Sequence, residues 1–270
     1  MSKLLSDLGI IPQLQLALAD LEISIATDIQ EQVIPIILNK TEDIVALAKT
    51  GTGKTAAFGL PLLQMVDLKN ENIQTVILSP TRELSQQIYN NFLGFSKHLP
   101  GVSIVLLTGG SPIKSQIEEL KSITHIVVAT PGRFLDLLEK NALDIKSLKN
   151  LVLDEADEMF QALKEDLLPI LKAMPKNRRT LLFSATMPGE LKEIVHNYMC
   201  KDVISVSSEM ATMAHEGINH QYMVVDPIEK LDVLLHFLST QEGGRGIIFC
   251  KTKAAVNKLA KNLAMRKISS

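Results

Sequence analysis

An α/β fold built on a mostly parallel sheet is predicted for this chain by two patterns in its sequence. Six short runs, at residues 43–48, 75–79, 103–108, 125–129, 150–153 and 180–183, are rich in Val, Ile and Leu and do not alternate apolar with polar. Short continuous apolar runs are the pattern of strands covered on both faces. Between them lie longer stretches with helical spacing, at residues 55–68, 82–99, 114–121 and 133–140. Strand alternating with helix is the order of crossover units, and crossover units make parallel sheets.

The 270 residues, 46% of them hydrophobic, suffice for one large domain or for one domain plus part of another. A composition shift begins near Tyr198, and the polar segment that follows has no strong period. The expected organisation is a first lobe at residues 1–200, a linker at 201–217, and a second α/β unit at 218–270. In that unit the sequence predicts strands at 220–225 and 246–250 and helices at 229–239 and 254–266. A domain of this class commonly needs about 100 residues or more, so the second unit reads as unfinished, with apolar surface exposed and disorder or self-association expected after Gly217.

Composition narrows the chemistry. No apolar run is long enough to span a bilayer, and Met1 to Leu8 holds an acid and does not read as a signal peptide. The expected location is therefore cytoplasmic. Cys200 and Cys250 stand alone, outside any CxxC or Cys/His cluster, so they read as reduced thiols rather than metal ligands. The net charge of −2 rules out a broad basic field, and any nucleic-acid contact must come from local donors.

The first run ends in Ala48-Lys49-Thr50-Gly51-Thr52-Gly53-Lys54-Thr55, just before a predicted helix. Strand, glycine-rich loop and helix start together form the setting of a phosphate-binding loop. Gly51 and Gly53 let backbone N–H groups approach phosphate oxygens. Lys54 supplies a cation for the β- and γ-phosphates, Thr55 a hydroxyl for Mg²⁺, and the helix start partial positive charge. Ala48 stands where the usual pattern has Gly.

The fifth run ends in Asp154-Glu155-Ala156-Asp157. Ligands in open α/β sheets sit at strand ends. There Asp154 could hold Mg²⁺ and Glu155 could orient or deprotonate an attacking water. By themselves such acids more often cap the next helix. With the phosphate loop in the same chain, they favour a nucleoside triphosphate hydrolase.

These four residues also spell the name of the DEAD-box RNA helicases, and the chain resembles that family over nearly its whole length. Thr27-Asp28-Ile29-Gln30 resembles the adenine-reading Q motif. Pro80-Thr81-Arg82-Glu83-Leu84-Ser85-Gln86-Gln87 resembles motif Ia, Gly109-Gly110 the GG doublet and Thr130-Pro131-Gly132-Arg133 motif Ib. Ser184-Ala185-Thr186 resembles motif III, and Ile247-Ile248-Phe249-Cys250 resembles the start of motif IV. The resemblance implies a RecA-like P-loop NTPase lobe with ATP and Mg²⁺ as ligands, followed by an incomplete second RecA-like lobe. It further implies adenine selection by Gln30, with Thr27 beside it.

The resemblance also implies a grip on the RNA sugar–phosphate backbone by Pro80, Thr81, Arg82, Gly109, Gly110, Thr130, Pro131, Gly132 and Arg133. The chemistry suits backbone contacts, and the 4% aromatic content argues against base stacking as the binding mode. Ser184 and Thr186 would bond Asp157 and link hydrolysis to strand separation. Plainer readings stand beside each motif. Thr27-x-x-Gln30 is also a capping box, Arg82 has Glu83 beside it, and Arg133 could pair with Asp136.

Two departures from the family pattern are Ala26 in place of Pro and Leu5 in place of an aromatic that could stack on the base, which points to weaker ATP binding. The arginine motifs of the family's second lobe are not found, so this chain is expected to bind ATP but to unwind RNA poorly. An ATP-responsive RNA clamp without turnover is one alternative. A DNA translocase is a second, against which the Gln30 motif and the RNA-grip set argue. No DNA preference is expected, and oligomeric state and target RNA are not legible.

Overall fold

In the computed structural model, residues 3–208, 219, 221–240, 246–266 and 268 are described. The chain divides into two compact units, residues 1–214 and 215–270.

The first unit opens with a short 3₁₀ turn, Leu5–Leu8, and helices α1 (Pro12–Asp20) and α2 (Asp28–Asn39). Strand β1 (Ile44–Leu47) feeds α3 (Lys54–Gln64), and β2 (Thr75–Leu78) feeds α4 (Arg82–Phe95). Then come β3 (Ile104–Leu107), α5 (Ile113–Glu119), β4 (Ile126–Ala129) and α6 (Pro131–Glu139). The unit continues with β5 (Asn150–Leu153), α7 (Ala156–Ala173), β6 (Arg179–Ser184), α8 (Gly189–Tyr198) and β7 (Ile204–Ser207).

The seven strands form one sheet in the order β3-β4-β2-β5-β6-β1-β7, and every pairing is parallel. All six strands predicted from apolar runs are present. Successive side chains in a strand point to opposite faces, and here both faces are buried. Ile44, Ala46, Ile77, Val128, Val152 and Phe183 pack with Ile34 of α2, Phe58 of α3 and Phe92 of α4. Val45, Val76, Val127, Leu151 and Leu182 pack on the other face with Phe134 of α6, Leu167 of α7 and Leu191 of α8. That double burial is why the runs do not alternate in sequence.

Two expectations need correction. The segment 201–217, read as a linker, contains β7, which pairs with β1 from Ile44↔Ile204 to Leu47↔Ser207. Its sequence Ile-Ser-Val-Ser alternates and only Val206 is buried, as suits an edge strand and not a central one. Residues 209–217 of the predicted linker lie outside the described residues, as do residues 218 and 220 of the stretch where disorder was expected. The second correction concerns the second unit. It contains α9 (Lys230–Thr240) and α10 (Lys253–Met265) close to their predicted places. Residues 221–225 and 246–250, however, are not strands; His220 lies outside the described residues. Tyr222, Val224, Ile247 and Phe249 are each more than four-fifths exposed. A strand needs a ladder partner, and apolar composition alone does not provide one.

Candidate functional site: the C-terminal edge of the sheet

Because all strands are parallel, their C-terminal ends share one edge, and the sequence motifs follow those ends. β6 lies between β1 and β5, so the loop after β1 and the acids after β5 flank the end of β6. Ala48 is buried and donates its N–H to the Ser184 carbonyl at 2.9 Å. Thr52 Oγ1 closes the loop onto the Lys49 carbonyl at 2.8 Å. Gly51 and Gly53 have φ of +80° and +89°, a region that side chains disfavour. Gly53 caps α3, and Lys54 opens it.

Lys54 is buried, yet it does not stand alone. Its Nζ contacts Glu155 Oε1 at 2.7 Å and the Ala48 carbonyl at 3.2 Å. Glu155 itself sits at φ +51°, a strained conformation that turns the chain from β5 into α7. Beside it Asp154 is buried, and its Oδ1 accepts the Glu155 N–H at 3.2 Å. Burial pushes the Asp154 carboxyl up to about 6; Lys54 pulls it down and Glu155 pushes it further up. Two carboxylates thus share one buried ammonium, which leaves a local excess of negative charge that a divalent cation would neutralise.

Asp157, in the first turn of α7, binds the end of β6. Its Oδ2 accepts from Thr186 Oγ1 at 2.6 Å and from Thr186 N–H at 3.0 Å, while its own N–H donates to Ser184 Oγ at 3.2 Å. Burial would raise the Asp157 carboxyl, but the hydrogen bonds from Thr186 and Ser184 outweigh it and hold the group below its ordinary range. The contact of Asp157 with Ser184 and Thr186 implied by the family resemblance is therefore present.

At the start of α2, Thr27 and Gln30 form the capping box. Thr27 N–H donates to Gln30 Oε1 at 2.9 Å, and Gln30 Nε2 donates to the Gly53 carbonyl at 3.0 Å. Both ends of the Gln30 amide are engaged by the protein, and one of them holds the phosphate loop. Leu5 is buried in the core.

The remaining motif residues gather farther along the same edge. Thr81 caps α4, accepting the Leu84 N–H at 3.2 Å, and Arg82 lies exposed against the glycine pair. A Cβ on Gly109 would fall 2.6 Å from Arg82 Nη2, and one on Gly110 would fall 2.8 Å from Nη1. With glycine at both positions the guanidinium can lie against the backbone, and any side chain there would push it away. Thr130 stands at the N-cap position of α6 without a side-chain cap bond, with Pro131 in the first turn. Arg133 does not pair with Asp136; both of its terminal nitrogens donate to the Ser111 carbonyl at 3.1 Å.

Comparison with known proteins decides what this arrangement belongs to. A family model described as DEAD/DEAH box helicase matches residues 27–194, more than half of the chain. The chain is a member of the DEAD/DEAH box helicase family. It is 40% identical to the ATP-dependent RNA helicase CshA of Limosilactobacillus reuteri over 97% of this chain and 52% of that protein. It is 39% identical to the ATP-dependent RNA helicase DeaD of Escherichia coli K12 over 96% of this chain and 41% of that one. The chain thus spans about half the length of the curated relatives it matches. Among solved structures it is similar to Dbp5 of S. cerevisiae bound to RNA and ADP BeF3, with a TM-score of 0.88 and 27% identity. That likeness covers 99% of this chain and 68% of Dbp5. A DEAD box protein from Methanococcus jannaschii matches with a TM-score of 0.73 and 35% identity, over 98% of this chain and 71% of that chain. The seven-stranded parallel sheet flanked by helices is the RecA-like fold of DEAD-box helicases.

In this unit several supporting residues escaped sequence reasoning. Gln116 is buried and donates to the Thr108 carbonyl at 3.3 Å, while its Oε1 accepts from Arg133, so it joins the glycine pair to motif Ib. Arg179 donates to the carbonyls of Ile36, Ile37 and Glu42 and so anchors the far end of α2, whose other end carries Gln30. Asp43 receives the N–H groups of Thr180 and Cys200, each at 2.6 Å. For Arg179 and Asp43 the one visible signal was a polar residue at the border of an apolar run, which is too common to single them out, and Gln116, inside a predicted helix, gave none.

Proposed function

We propose that this chain is the ATP-binding lobe of an RNA helicase, hydrolysing ATP while it grips the RNA backbone. The observation that carries the reading is the Lys54–Glu155 contact at 2.7 Å, which places the phosphate-loop cation on the second carboxylate of the acidic motif. On binding ATP, Lys54 exchanges Glu155 for phosphate oxygens, with the loop N–H groups and the α3 start adding donors. Glu155, released from Lys54, is then positioned to orient water and accept its proton. Ala48, Lys49, Thr50, Gly51, Thr52, Gly53 and Thr55 complete the nucleotide cradle. Gln30 acts at the adenine end and passes its state to the loop through Gly53.

Mg²⁺ fits the donor set. Among the described residues no group of three or more His, Cys, Asp and Glu is placed to hold a metal ion by itself. Mg²⁺ instead commonly takes one or two carboxylates plus substrate phosphates, and Thr55 and Asp154 are the residues that would hold it. Bound there, it would neutralise charge on the phosphates. Asp157, Ser184 and Thr186 then form the joint through which the acidic motif and the end of β6 move together. Arg82, with Pro80, Thr81, Gly109 and Gly110, forms the RNA grip, together with Thr130, Pro131 and Gly132. Arg133 serves it by fixing the loop at Ser111. Residues 218–270 are the start of the second RecA-like lobe, and efficient unwinding requires that lobe complete. Action in the cytoplasm belongs to the same proposal; among the described residues no helix is long and apolar enough to cross a membrane.

Phosphate release from ATP, with and without a short RNA duplex, tests the proposal. Slow release, abolished by Glu155→Gln and raised more by RNA than by DNA of equal length, is the expected result. No release, together with RNA affinity that changes with ATP, would replace the enzyme reading with an RNA clamp. Equal stimulation by DNA would contradict the choice of RNA.

A further inference from the structure

The loop between β3 and α5, residues 108–112, is where the three stretches assigned to RNA meet. On one side Arg82 lies against Gly109 and Gly110. On the other, Arg133 donates from Nη1 and Nη2 to the Ser111 carbonyl at 3.1 Å. The Thr130 N–H donates to the Leu107 carbonyl, just before the loop, at 3.2 Å. Residues 108–112 belong to neither helix nor strand, and Gly110 takes a φ of +96°. The shape of this loop therefore depends on what its backbone groups bond.

Gln116 of α5 ties the loop to its neighbours. Its Nε2 donates to the Thr108 carbonyl at 3.3 Å and reaches the Leu106 carbonyl at 3.5 Å, while its Oε1 accepts from Arg133 Nη1. A buried amide is costly unless both of its ends are bonded, and the packing of α5 does not call for one. Ile113 and Ile117 of the same helix already pack against the core. What the amide does, and an aliphatic side chain could not, is bond the end of β3 to the arginine of α6. Arg133 in turn has Nη1 and Nη2 committed to protein acceptors, so its charge serves the loop.

We propose that Gln116 is a positioning residue for RNA binding. It orients the Arg133 guanidinium, which through Ser111 holds Gly109 and Gly110 in register with Arg82. The inference rests on the reading that the glycine pair and Arg82 receive RNA phosphates. Gln116 is only 5% exposed, so it acts without touching RNA. Phosphate can approach a glycine backbone closely, and a loop already held in its bound shape avoids the ordering cost that weakens binding.

The test is fluorescence anisotropy of a labelled single-stranded RNA with the full chain, at several salt concentrations. Gln116→Leu and Arg133→Lys are each expected to weaken RNA binding about tenfold, the scale of one lost charge-assisted hydrogen bond. The variant carrying both should lose about as much as either alone, because the two residues act in series. Arg133→Lys keeps the positive charge but not the fork, so a direct phosphate contact would survive it and a positioning role would not. Salt makes the same distinction. Gln116→Leu should leave the slope of log affinity against log salt unchanged, whereas Arg82→Ala, which removes a phosphate cation, should reduce it by about 1. ATP affinity should hold in Gln116→Leu. Arg133→Lys, at a half-buried position, carries the test alone should Gln116→Leu not fold. RNA affinity equal to that of the unsubstituted chain in these variants, or losses that add in the double variant, overturns the inference and leaves the RNA-grip reading standing. Absence of saturable RNA binding by the unsubstituted chain overturns that reading and this inference with it.

Discussion

Gly53 serves the site twice. Its φ of +89° turns the loop into α3, and its carbonyl accepts from Gln30. A Cβ there would lie 2.4 Å from Gln30 Nε2 and 3.1 Å from Thr27 Oγ1. Gly53→Ala is therefore expected to destabilise the protein by about 1–3 kcal/mol and to weaken ATP binding; urea unfolding and ATP titration check the two effects. His125 gives a pH-dependent counterpart. It is buried, its Nδ1 accepts the Ser103 N–H at 3.0 Å, and its Nε2 has no partner. Burial lowers its pKa, with Asp67 and Glu71 acting weakly in the other direction. The folded state thus takes up its proton at lower pH than the unfolded state, whose value is about 6.5. The stability this provides is present above that pH and is lost as pH falls below it. Urea midpoints measured from pH 8 downward should decline more steeply in the native chain than in His125→Phe, and equal slopes would refute this role.

Elements are held in place by contacts that sequence patterns do not show. From the first position of β6, Arg179 binds two of the last carbonyls of α2, those of Ile37 and Ile36, at 2.9 and 3.3 Å, and the Glu42 carbonyl beyond the helix at 2.7 Å. Arg179→Gln leaves those carbonyls without this donor and should cost about 2–3 kcal/mol in chemical denaturation; it should also weaken ATP binding, since the other end of α2 carries Gln30. The six buried strands were legible because both of their faces are covered, which makes apolar runs without alternation. β7 was not, because an edge strand with one buried residue looks like linker. Residues 221–225 and 246–250 have strand composition but no ladder, since pairing is set by distant sequence. At the site, the phosphate loop and the acidic motif were readable because their chemistry fixes residue types at fixed spacing. The role of Arg133 was not, because its partner, the Ser111 carbonyl, is a backbone atom and leaves no trace in residue identity.

At the scale of the whole molecule, the complete sheet and both of its core layers lie within residues 3–208. A chain ending at Ser208 is therefore expected to unfold cooperatively at the same urea midpoint as residues 1–270 and to bind ATP equally well; a clear drop in either would show that residues 209–270 support the first unit. On the proposed reading, duplex unwinding needs more than this unit, whereas nucleotide capture needs only the loop after β1 and the acids after β5. The most direct test of that claim is calorimetric titration of residues 1–270 with ATP and Mg²⁺, beside the same titration of Lys54→Ala. Saturable binding that Lys54→Ala weakens by about thirtyfold or more, a loss of about 2 kcal/mol, is the predicted result. Equal binding by the two proteins would show that the loop after β1 does not hold the nucleotide, and would contradict the account.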